Sequence, residues 1–266
     1  MPRHSAKPLD EDRIRVYAGD TARLIRVRQV VDSTNLELAR LREGGEPVDV
    51  LLGEAQTAGR GRRERHWVSP PGCGLYLSWF ERFDKPPAQI GALSLVVGLA
   101  AAAAVAATVS IRPGVKWPND LIIDGRKLGG CLVDVSAGSS RCSAVIGVGI
   151  NVDFGDQAGP DQPWTDLVRV SGQAVDRNRL AGHLIRQLHS HLDEFRHAGL
   201  APFVPRWNAA DVLAGHLVRA TGIAASPIEG QAEGIDEHGR LLLRDGPNVL
   251  RLSGGEISLR ALISAR

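Results

Sequence analysis

Apolar residues recur along the chain in two spacings that predict a sheet packed with helices. Residues 24–31 (LIRVRQVV) alternate apolar with charged or polar side chains, which is typical of a half-buried strand. Residues 178–195 carry apolar side chains three or four positions apart, as an amphipathic helix does. Shorter apolar runs predict further strands at residues 48–54, 74–80, 131–135 and 144–151. The mixture predicts an α+β fold, in which a mixed β-sheet packs against helices.

Residues 90–111 contain no charged residue and are long enough to cross a bilayer. Alanine dominates this run and is unbroken at residues 100–104. Alanine gains little on entering lipid, although it is the best helix former in water. No Trp or Tyr flanks the run. We therefore expect a helix in the core of the protein, packed on the sheet, and no membrane partner.

The pattern changes near residue 212. From there the chain consists of short alternating runs separated by turn residues, which predicts a small all-β module. The first 18 residues are mostly polar and are predicted to be disordered. The predicted organisation is a disordered N-terminus at residues 1–18, a larger domain at 19–211 and a β domain at 212–266.

Composition and charge narrow the functional classes. Hydrophobic residues make up 43% of the chain and charged residues 23%, as in ordinary globular proteins. The net charge is only +2, from 32 basic and 30 acidic residues, which argues against a protein that coats DNA. Three cysteines without CxxC spacing and a polar N-terminus without an apolar signal segment favour a reducing, cytoplasmic location.

The segment at residues 53–67 (GEAQTAGRGRRERHW) holds four arginines within six positions, two of them beside glycines. Glycines allow the backbone to approach a ligand closely, and guanidinium groups suit carboxylate and phosphate oxygens. The segment therefore has the composition of a loop that closes over an anion. A mobile, solvated loop and a nucleic-acid contact are alternatives that the loop alone leaves open.

Other polar motifs lie at the ends of predicted elements. Ser33, Thr34 and Asn35 precede an apolar run, and a capping box between Thr34 and Glu37 would by itself explain their presence. KWPND at residues 116–120 leads to a DG pair at 124–125, which is a hairpin turn signal, and RKLGG follows at 126–130. GVGIN at 147–151 contains glycines where another group approaches the strand.

Together these motifs, with QTAGRGR at 56–62 and GEISLR at 255–260, resemble a bacterial biotin–protein ligase, in the form that lacks the N-terminal winged-helix DNA-binding domain. The resemblance implies a class II synthetase-like biotin/lipoate ligase catalytic domain and a C-terminal SH3-like β-barrel. It also implies that ATP and biotin give biotinyl-5′-AMP, and that biotin is then transferred to a lysine of biotin carboxyl carrier protein, a subunit of acetyl-CoA carboxylase.

The resemblance assigns roles to residues at matching positions. Lys127, Arg60 and Arg62 would be catalytic, because fixed cations must neutralise a carboxylate and a phosphate that meet. Asp120 would contact Mg²⁺. Biotin would contact Ser33, Thr34, Asn35, Gln56, Gly59, Arg60, Gly61, Arg62, Lys127, Gly130 and Gly149. ATP or the adenylate would contact Arg62, Arg65, Trp67, Asn119, Asp120, Lys127, Asn151 and Trp164. Taken singly, Lys127 also suits an exposed turn, Asn119 and Asp120 an ordinary turn, and Trp164 a structural tryptophan.

The sequence departs from the family pattern at two positions. Glu64 stands where glycine is usual, which alters the arginine loop, and Gly129 replaces a common alanine, which should be tolerated. A lipoate–protein ligase would use the same chemistry, but Ser33, Thr34 and Gln56 favour a urea group over a dithiolane. An RNA- or DNA-binding protein is disfavoured by the near-neutral charge. About 25 residues precede the first predicted strand, too few for a winged helix, so we expect no DNA binding and either a monomer or a homodimer.

Overall fold

The computed structural model describes residues 7–21, 23–137, 141–155, 157, 159, 162–222, 226–254 and 258–261. Its helices are α1 (Glu11–Ala18), α2 (Thr34–Glu43), α3 (Leu93–Val109), α4 (Leu167–Ser171), α5 (Arg177–Ala198) and α6 (Phe203–Ala210). Its strands are β1 (Ile25–Val31), β2 (Val50–Gln56), β3 (Gly74–Phe83), β4 (Gly114–Lys116), β5 (Asp120–Ile123), β6 (Arg126–Ala137), β7 (Cys142–Asn151), β8 (Leu217–Thr221), β9 (Ile228–Ile235), β10 (Leu241–Asp245), β11 (Asn248–Leu252) and β12 (Ser258–Ala261). The strands and the long helix predicted from apolar spacing are confirmed, with ends that move by a few residues.

The first seven strands form one mixed sheet in the order β1-β2-β3-β7-β6-β5-β4. β1 and β2 run parallel, joined by a crossover through α2, whereas the other neighbouring pairs are antiparallel. This arrangement confirms the predicted mixed sheet and α+β class. The longest pairings join β3 to β7 and β7 to β6, so the centre of the sheet is its most extensively bonded part.

Alternate side chains of β2 show how the sheet is covered on both faces. Val50 and Leu52 belong to the main core, whereas Leu51 belongs to a smaller cluster with Leu38 of α2. The period of two along a strand sends neighbouring residues to opposite faces, so both faces exclude water here. A fully apolar run in the sequence therefore marks a strand buried on both sides.

Helix α3 lies in the core, as predicted for its alanine-rich sequence. The segment Pro87–Val109 is long and apolar enough to cross a membrane, yet 67% of its most apolar window is buried inside the protein. α3 contacts α5 and strands β4, β5 and β6. Small alanine side chains let these elements pack closely around it.

The last five strands form an antiparallel sheet in the order β11-β10-β9-β8-β12, consistent with the predicted SH3-like barrel. Its apolar residues belong to the same core as the first sheet. Trp117 Nε1 donates a 3.1 Å hydrogen bond to the carbonyl of Gly239, between β9 and β10. Gly239 has φ of 77°, and a Cβ there would lie 2.8 Å from Ala92 Cβ, so only glycine fits this junction. The two sheets are joined by direct packing.

The predicted disorder of residues 1–18 is wrong for the part that the structure describes. Residues 11–18 form α1, capped by Asp10, whose carboxylate accepts from the backbone N–H of Arg13. Ile14 is fully buried, and α1 contacts α5. Arg177 of α5 forms a buried ion pair with Glu54 of β2 at 2.7 Å. The same groups hold the incoming chain, since Arg177 donates to the carbonyl of Lys7 and Glu54 accepts from the N–H of Leu9. Residues 1–6 lie outside the described part of the chain.

Candidate active site

A cavity of about 830 Å³ is lined by residues of both sheets. This volume is within the usual range for small-molecule sites. The predicted residues on its wall are Ser33, Thr34, Asn35, Gln56, Arg60, Gly61, Arg62, Arg65, Trp67, Asn119, Asp120, Lys127, Gly130 and Gly149. The fold thus brings together motifs that lie more than a hundred positions apart in the chain.

The start of α2 brings a set of neutral hydrogen-bonding groups to the cavity wall, here called the neutral corner. The Gln56 side-chain oxygen accepts from the backbone N–H of Thr34 at 2.9 Å and from its hydroxyl at 3.1 Å. Gln56 Nε2 donates to Ser69 Oγ at 2.8 Å. α2 begins at Thr34, its N-cap is Ser33, and the Ser33 side chain makes no capping bond to this helix. The predicted capping box is therefore wrong, because Thr34 is bonded to Gln56 while Glu37 is paired with Arg40.

Asn35 lies beside this corner, but its amide is already bonded to the protein. Its oxygen accepts from Ser78 Oγ at 2.6 Å, and its nitrogen donates to Asp134 at 2.9 Å. A Cβ on Gly147 would collide with the Asn35 amide, so glycine in β7 makes room for it. Asn35 consequently fixes the wall of the cavity.

The arginine segment forms a small hairpin beside the cavity. Gly61 and Arg65 are linked by a 2.8 Å backbone hydrogen bond, and Trp67 N–H donates to the carbonyl of Gly59 at 2.8 Å. Gly59 does not line the cavity. A Cβ there would lie 2.5 Å from the Trp67 carbonyl, so glycine is needed for closure of the hairpin.

Arg60 and Arg62 point to different partners. Arg60 pairs with Asp134 at 3.3 Å, and Arg62 donates to the side-chain oxygen of Asn119 at 3.4 Å. Burial lowers the pKa of Arg62, and the neighbouring Arg63 charge acts in the same direction. Removing water from a guanidinium costs free energy that a bound anion would recover. Arg62 is thus prepared for a negatively charged ligand.

Lys127 lines the cavity directly after the β5–β6 hairpin turn. The preceding turn places both Asp124 and Gly125 at positive φ, 48° and 70°, as the DG signal predicts for a type I′ hairpin. Lys127 Nζ lies 2.6 Å from Asp120 Oδ1 and 5.5 Å from the centre of the Trp67 ring. Its backbone is held by residues 163 and 165, through hydrogen bonds of 3.0 and 2.9 Å. The ammonium group is therefore presented from a rigid strand.

Trp67 lies against the backbone of β7 and offers an unused donor. A Cβ on Gly149 would come within 2.7 Å of the indole, so glycine allows this close approach. The indole Nε1 is buried and has no hydrogen-bond partner in the described part of the protein. A buried donor without an acceptor costs about 1–3 kcal/mol, which a ligand oxygen could offset.

Two predicted adenylate residues do not line the cavity. Asn151 is almost fully buried and donates to the carbonyl of Thr165 at 3.0 Å, so it holds the segment that supports Lys127. Trp164 packs against Phe154 at 5.0 Å between ring centres and under the guanidinium of Arg169 at 4.2 Å. Its chain neighbour Pro163 lines the cavity instead. A stacking role for Trp164 on adenine stays a prediction.

Sequence reasoning missed several residues on the wall, among them Lys116, Arg260 and His216. Lys116 begins the KWPND motif and Arg260 ends GEISLR. Both residues therefore lie in motifs that the sequence analysis had already singled out. Burial lowers the pKa of Lys116, and the charges of neighbouring cations lower it further. Arg260 belongs to β12, which means that the C-terminal sheet supplies part of the cavity. Only the folded chain brings these two motifs together.

Asp120 is the acidic residue among the described residues of the wall, and it does not by itself form a metal cage. Among the described residues no group of three or more His, Cys, Asp or Glu side chains is placed to hold a metal ion. Asp120 is paired with Lys127. Mg²⁺ often uses only one or two protein carboxylates together with phosphate oxygens and water. The donor set therefore fits a cation that arrives with the phosphates, and Asp120 could supply one oxygen to it.

Comparisons with known proteins agree with this geometry. Residues 27–151 match the Biotin/lipoate A/B protein ligase family, and residues 217–260 match the Biotin protein ligase C terminal domain. A Mycobacterium tuberculosis protein named biotin–[acetyl-CoA-carboxylase] ligase is 35% identical over 260 residues, covering 94% of this chain and 95% of that protein. The chain belongs to the biotin protein ligase family.

Two other family members are similar to most of this chain. The Escherichia coli (strain K12) bifunctional ligase/repressor BirA is 39% identical over 244 residues, which cover 89% of this chain and 74% of BirA. The structure of the Aquifex aeolicus biotin protein ligase in complex with biotin and ATP superposes with a TM-score of 0.76 at 28% identity, covering 90% of this chain and 99% of that one. The fold described above is thus the biotin protein ligase fold.

Proposed function

We propose that this protein is a biotin–protein ligase that forms biotinyl-5′-AMP from biotin and ATP and transfers biotin to a lysine of biotin carboxyl carrier protein. The observation that carries the proposal is the polarity of one cavity. The hydroxyl and amide groups of the neutral corner line the same cavity as Lys127 and the half-buried Arg62. Their order follows β7: Asn35, beside the neutral corner, lies against Gly147, whereas Trp67, whose ring centre is 5.5 Å from Lys127 Nζ, lies against Gly149. A ligand with a neutral hydrogen-bonding ring and a carboxylate tail matches this order.

The neutral corner suits the ureido ring of biotin. A urea group offers two N–H donors and one carbonyl acceptor. The Ser33 hydroxyl, which is not used for capping, and the Thr34 and Gln56 groups supply both kinds of partner. The dithiolane ring of lipoate has no such groups, so this corner favours biotin.

In the first step a carboxylate oxygen of biotin attacks the α-phosphorus of ATP. The new P–O bond forms while the bond to the bridging oxygen breaks, and pyrophosphate leaves with that electron pair. Lys127 and Arg62 counter the repulsion between the two anions before they meet. Mg²⁺ would be held chiefly by the phosphate oxygens, with Asp120 as its protein contact, and would supply further charge neutralisation.

In the second step the neutral amine of the carrier lysine attacks the acyl carbonyl carbon. The C–N bond forms, the bond from carbon to the adenylate oxygen breaks, and AMP leaves while the amine loses its extra proton. Lys127 serves this step too, because the carboxyl-derived oxygens and the α-phosphate are still present. The carrier protein is a proposal that follows from the names of the relatives.

The test is a direct search for the intermediate. The protein is incubated with ATP, Mg²⁺ and either biotin or lipoate, and the products are analysed by mass spectrometry. We expect biotinyl-AMP and pyrophosphate, and biotin on an added carrier domain. Lipoyl-AMP in preference to biotinyl-AMP, or no acyl-adenylate from either acid, would contradict the proposal.

A further inference from the structure

Lys116 is a cation on the cavity wall to which the proposed mechanism gives no role. It is the last residue of β4, in register with Asp120 of β5. The turn between them is closed by a 3.1 Å hydrogen bond from the N–H of Asn119 to the carbonyl of Lys116. Trp117 within the turn is 2% exposed and bonded to Gly239 of the second sheet. Both sheets therefore hold the backbone that carries Lys116.

The charges around Lys116 are unbalanced. Lys127, Arg260 and Arg65 all act to lower its pKa in addition to burial, and Asp120 is the carboxylate that opposes them. That carboxylate is already 2.6 Å from Lys127 Nζ. Two other ionisable groups on the wall, Cys131 and Tyr76, remain neutral because burial raises the pKa of each, that of the thiol to about 12.

The cations around Lys116 suit a ligand that carries several negative charges. Among the described residues that line the cavity, Lys116 and the three cations that lower its pKa share one carboxylate, that of Asp120. Arg65 and Arg260 are exposed to water, whereas Lys116 and Lys127 are partly buried, and partly buried charges are unfavourable unless a ligand compensates them. A carboxylate and one phosphate supply two negative charges close to Lys127 and Arg62. Lys116, and Arg260 of the second sheet, add two further positive charges. The remaining phosphates of ATP have the negative charge to balance them.

We propose that Lys116 binds the β- and γ-phosphates of ATP and stabilises the negative charge that develops on pyrophosphate as it leaves. The inference rests on the proposed function and extends it to a residue that contacts the leaving group, pyrophosphate. Lys116 donates hydrogen bonds and charge, while its proton stays on Nζ. The electron pair of the broken P–O bond remains on the pyrophosphate oxygen.

This role separates the two half-reactions. Pyrophosphate takes part in adenylate formation and is absent from biotin transfer. Lys116→Met keeps the aliphatic stem and removes the charge, so it should slow adenylate formation about a hundredfold or more, as loss of one preorganised donor does. Transfer from added biotinyl-AMP to a carrier domain should keep its wild-type rate.

The experiment compares the wild type with Lys116→Met, Lys116→Arg and Lys85→Met. Lys85 donates to the carbonyl of Phe195 and lies outside the cavity, so it controls for loss of a lysine. Pyrophosphate release, the KM for ATP, inhibition by inorganic pyrophosphate and transfer from biotinyl-AMP are measured for each, with thermal unfolding as a check on folding. We expect the first three to change in Lys116→Met, partial recovery in Lys116→Arg, and wild-type values in Lys85→Met.

The possible outcomes are distinct. Unchanged pyrophosphate release, or equal losses in both half-reactions, would overturn the role of Lys116. Failure of the wild type to make biotinyl-AMP would instead contradict the proposed function. Binding of inorganic pyrophosphate, measured by calorimetry, then tests Lys116 independently: weaker binding by Lys116→Met supports the inference, and equal binding overturns it.

Discussion

Replacement of Lys127 by methionine tests the proposed chemistry of the cavity. Lys127 Nζ is 2.6 Å from Asp120 Oδ1, and the two side chains are only 18% and 19% exposed. In the proposed reaction the same ammonium faces the carboxylate and the α-phosphate. Loss of such a preorganised charge costs about 2.7–4 kcal/mol, or 10²–10³ in rate. We expect single-turnover formation of biotinyl-AMP to fall by that factor.

The same substitution should also reduce stability, and the two effects can be separated. Lys127→Met leaves the Asp120 carboxylate without its partner, which we expect to cost about 1–3 kcal/mol of unfolding free energy. Adding Asp120→Asn removes the orphaned charge, so the double variant should recover most of the stability. It should not recover the rate, because the ammonium is still missing.

Quenched-flow experiments measure the rate of biotinyl-AMP formation, and urea titrations measure the unfolding free energy. A rate loss below about tenfold, or 1.4 kcal/mol, would refute the role of Lys127 in adenylate formation. Recovery of the rate together with stability in the double variant would show that Lys127 acts only through folding. Lys85→Met is again the control and should change neither quantity.

Three further substitutions test particular features of the structure. Glu64 has φ of 56°, in the left-handed region, so Glu64→Gly should raise the unfolding free energy by about 0.5–1 kcal/mol in urea titrations. Gly149→Ala would place a Cβ 2.7 Å from the Trp67 indole, and we expect biotin affinity to fall about tenfold or more in calorimetry because the ring must shift. Burial raises the pKa of Asp211 to about 6, so the folded state retains a proton that the unfolded state loses and its stability falls as pH rises from 4 to 6. Asp211→Asn should therefore stabilise the protein by up to about 3 kcal/mol near pH 8, and much less near pH 4, in thermal unfolding.

Each of these predictions has a matched control. Glu64→Ala keeps the side-chain restriction at positive φ and should give no gain in stability; an equal gain would contradict the strain argument. Gly98→Ala places a Cβ 3.8 Å from Val115 and should leave biotin binding unchanged. Asp12→Asn, at a side chain 93% exposed, should not alter the pH profile. A Gly149→Ala variant with normal affinity, or an Asp211→Asn profile parallel to that of the wild type, would contradict the corresponding argument.

The sequence by itself determined the parts of the protein that depend on local geometry. The spacing of apolar residues predicts the strands and α5, because side-chain direction repeats every two residues in a strand and every 3.6 residues in a helix. The DG pair at residues 124–125 predicts the tight hairpin before Lys127, since both positions need positive φ. The arginine segment and the polar residues around Ser33 were recognisable by composition, and their side chains do line the cavity.

Tertiary structure decided what depends on contacts between distant segments. Residues 1–18 are mostly polar and are predicted to be disordered, yet the Glu54–Arg177 pair and the packing of Ile14 hold residues 7–18, which are the part of this segment that the structure describes. Thr34 could have capped its own helix, but Gln56 bonds to it. Lys116 and Arg260 are 144 positions apart and share one wall only because the second sheet packs on the first. Local propensity cannot encode such pairings, because their free energy arises only when the chain has folded.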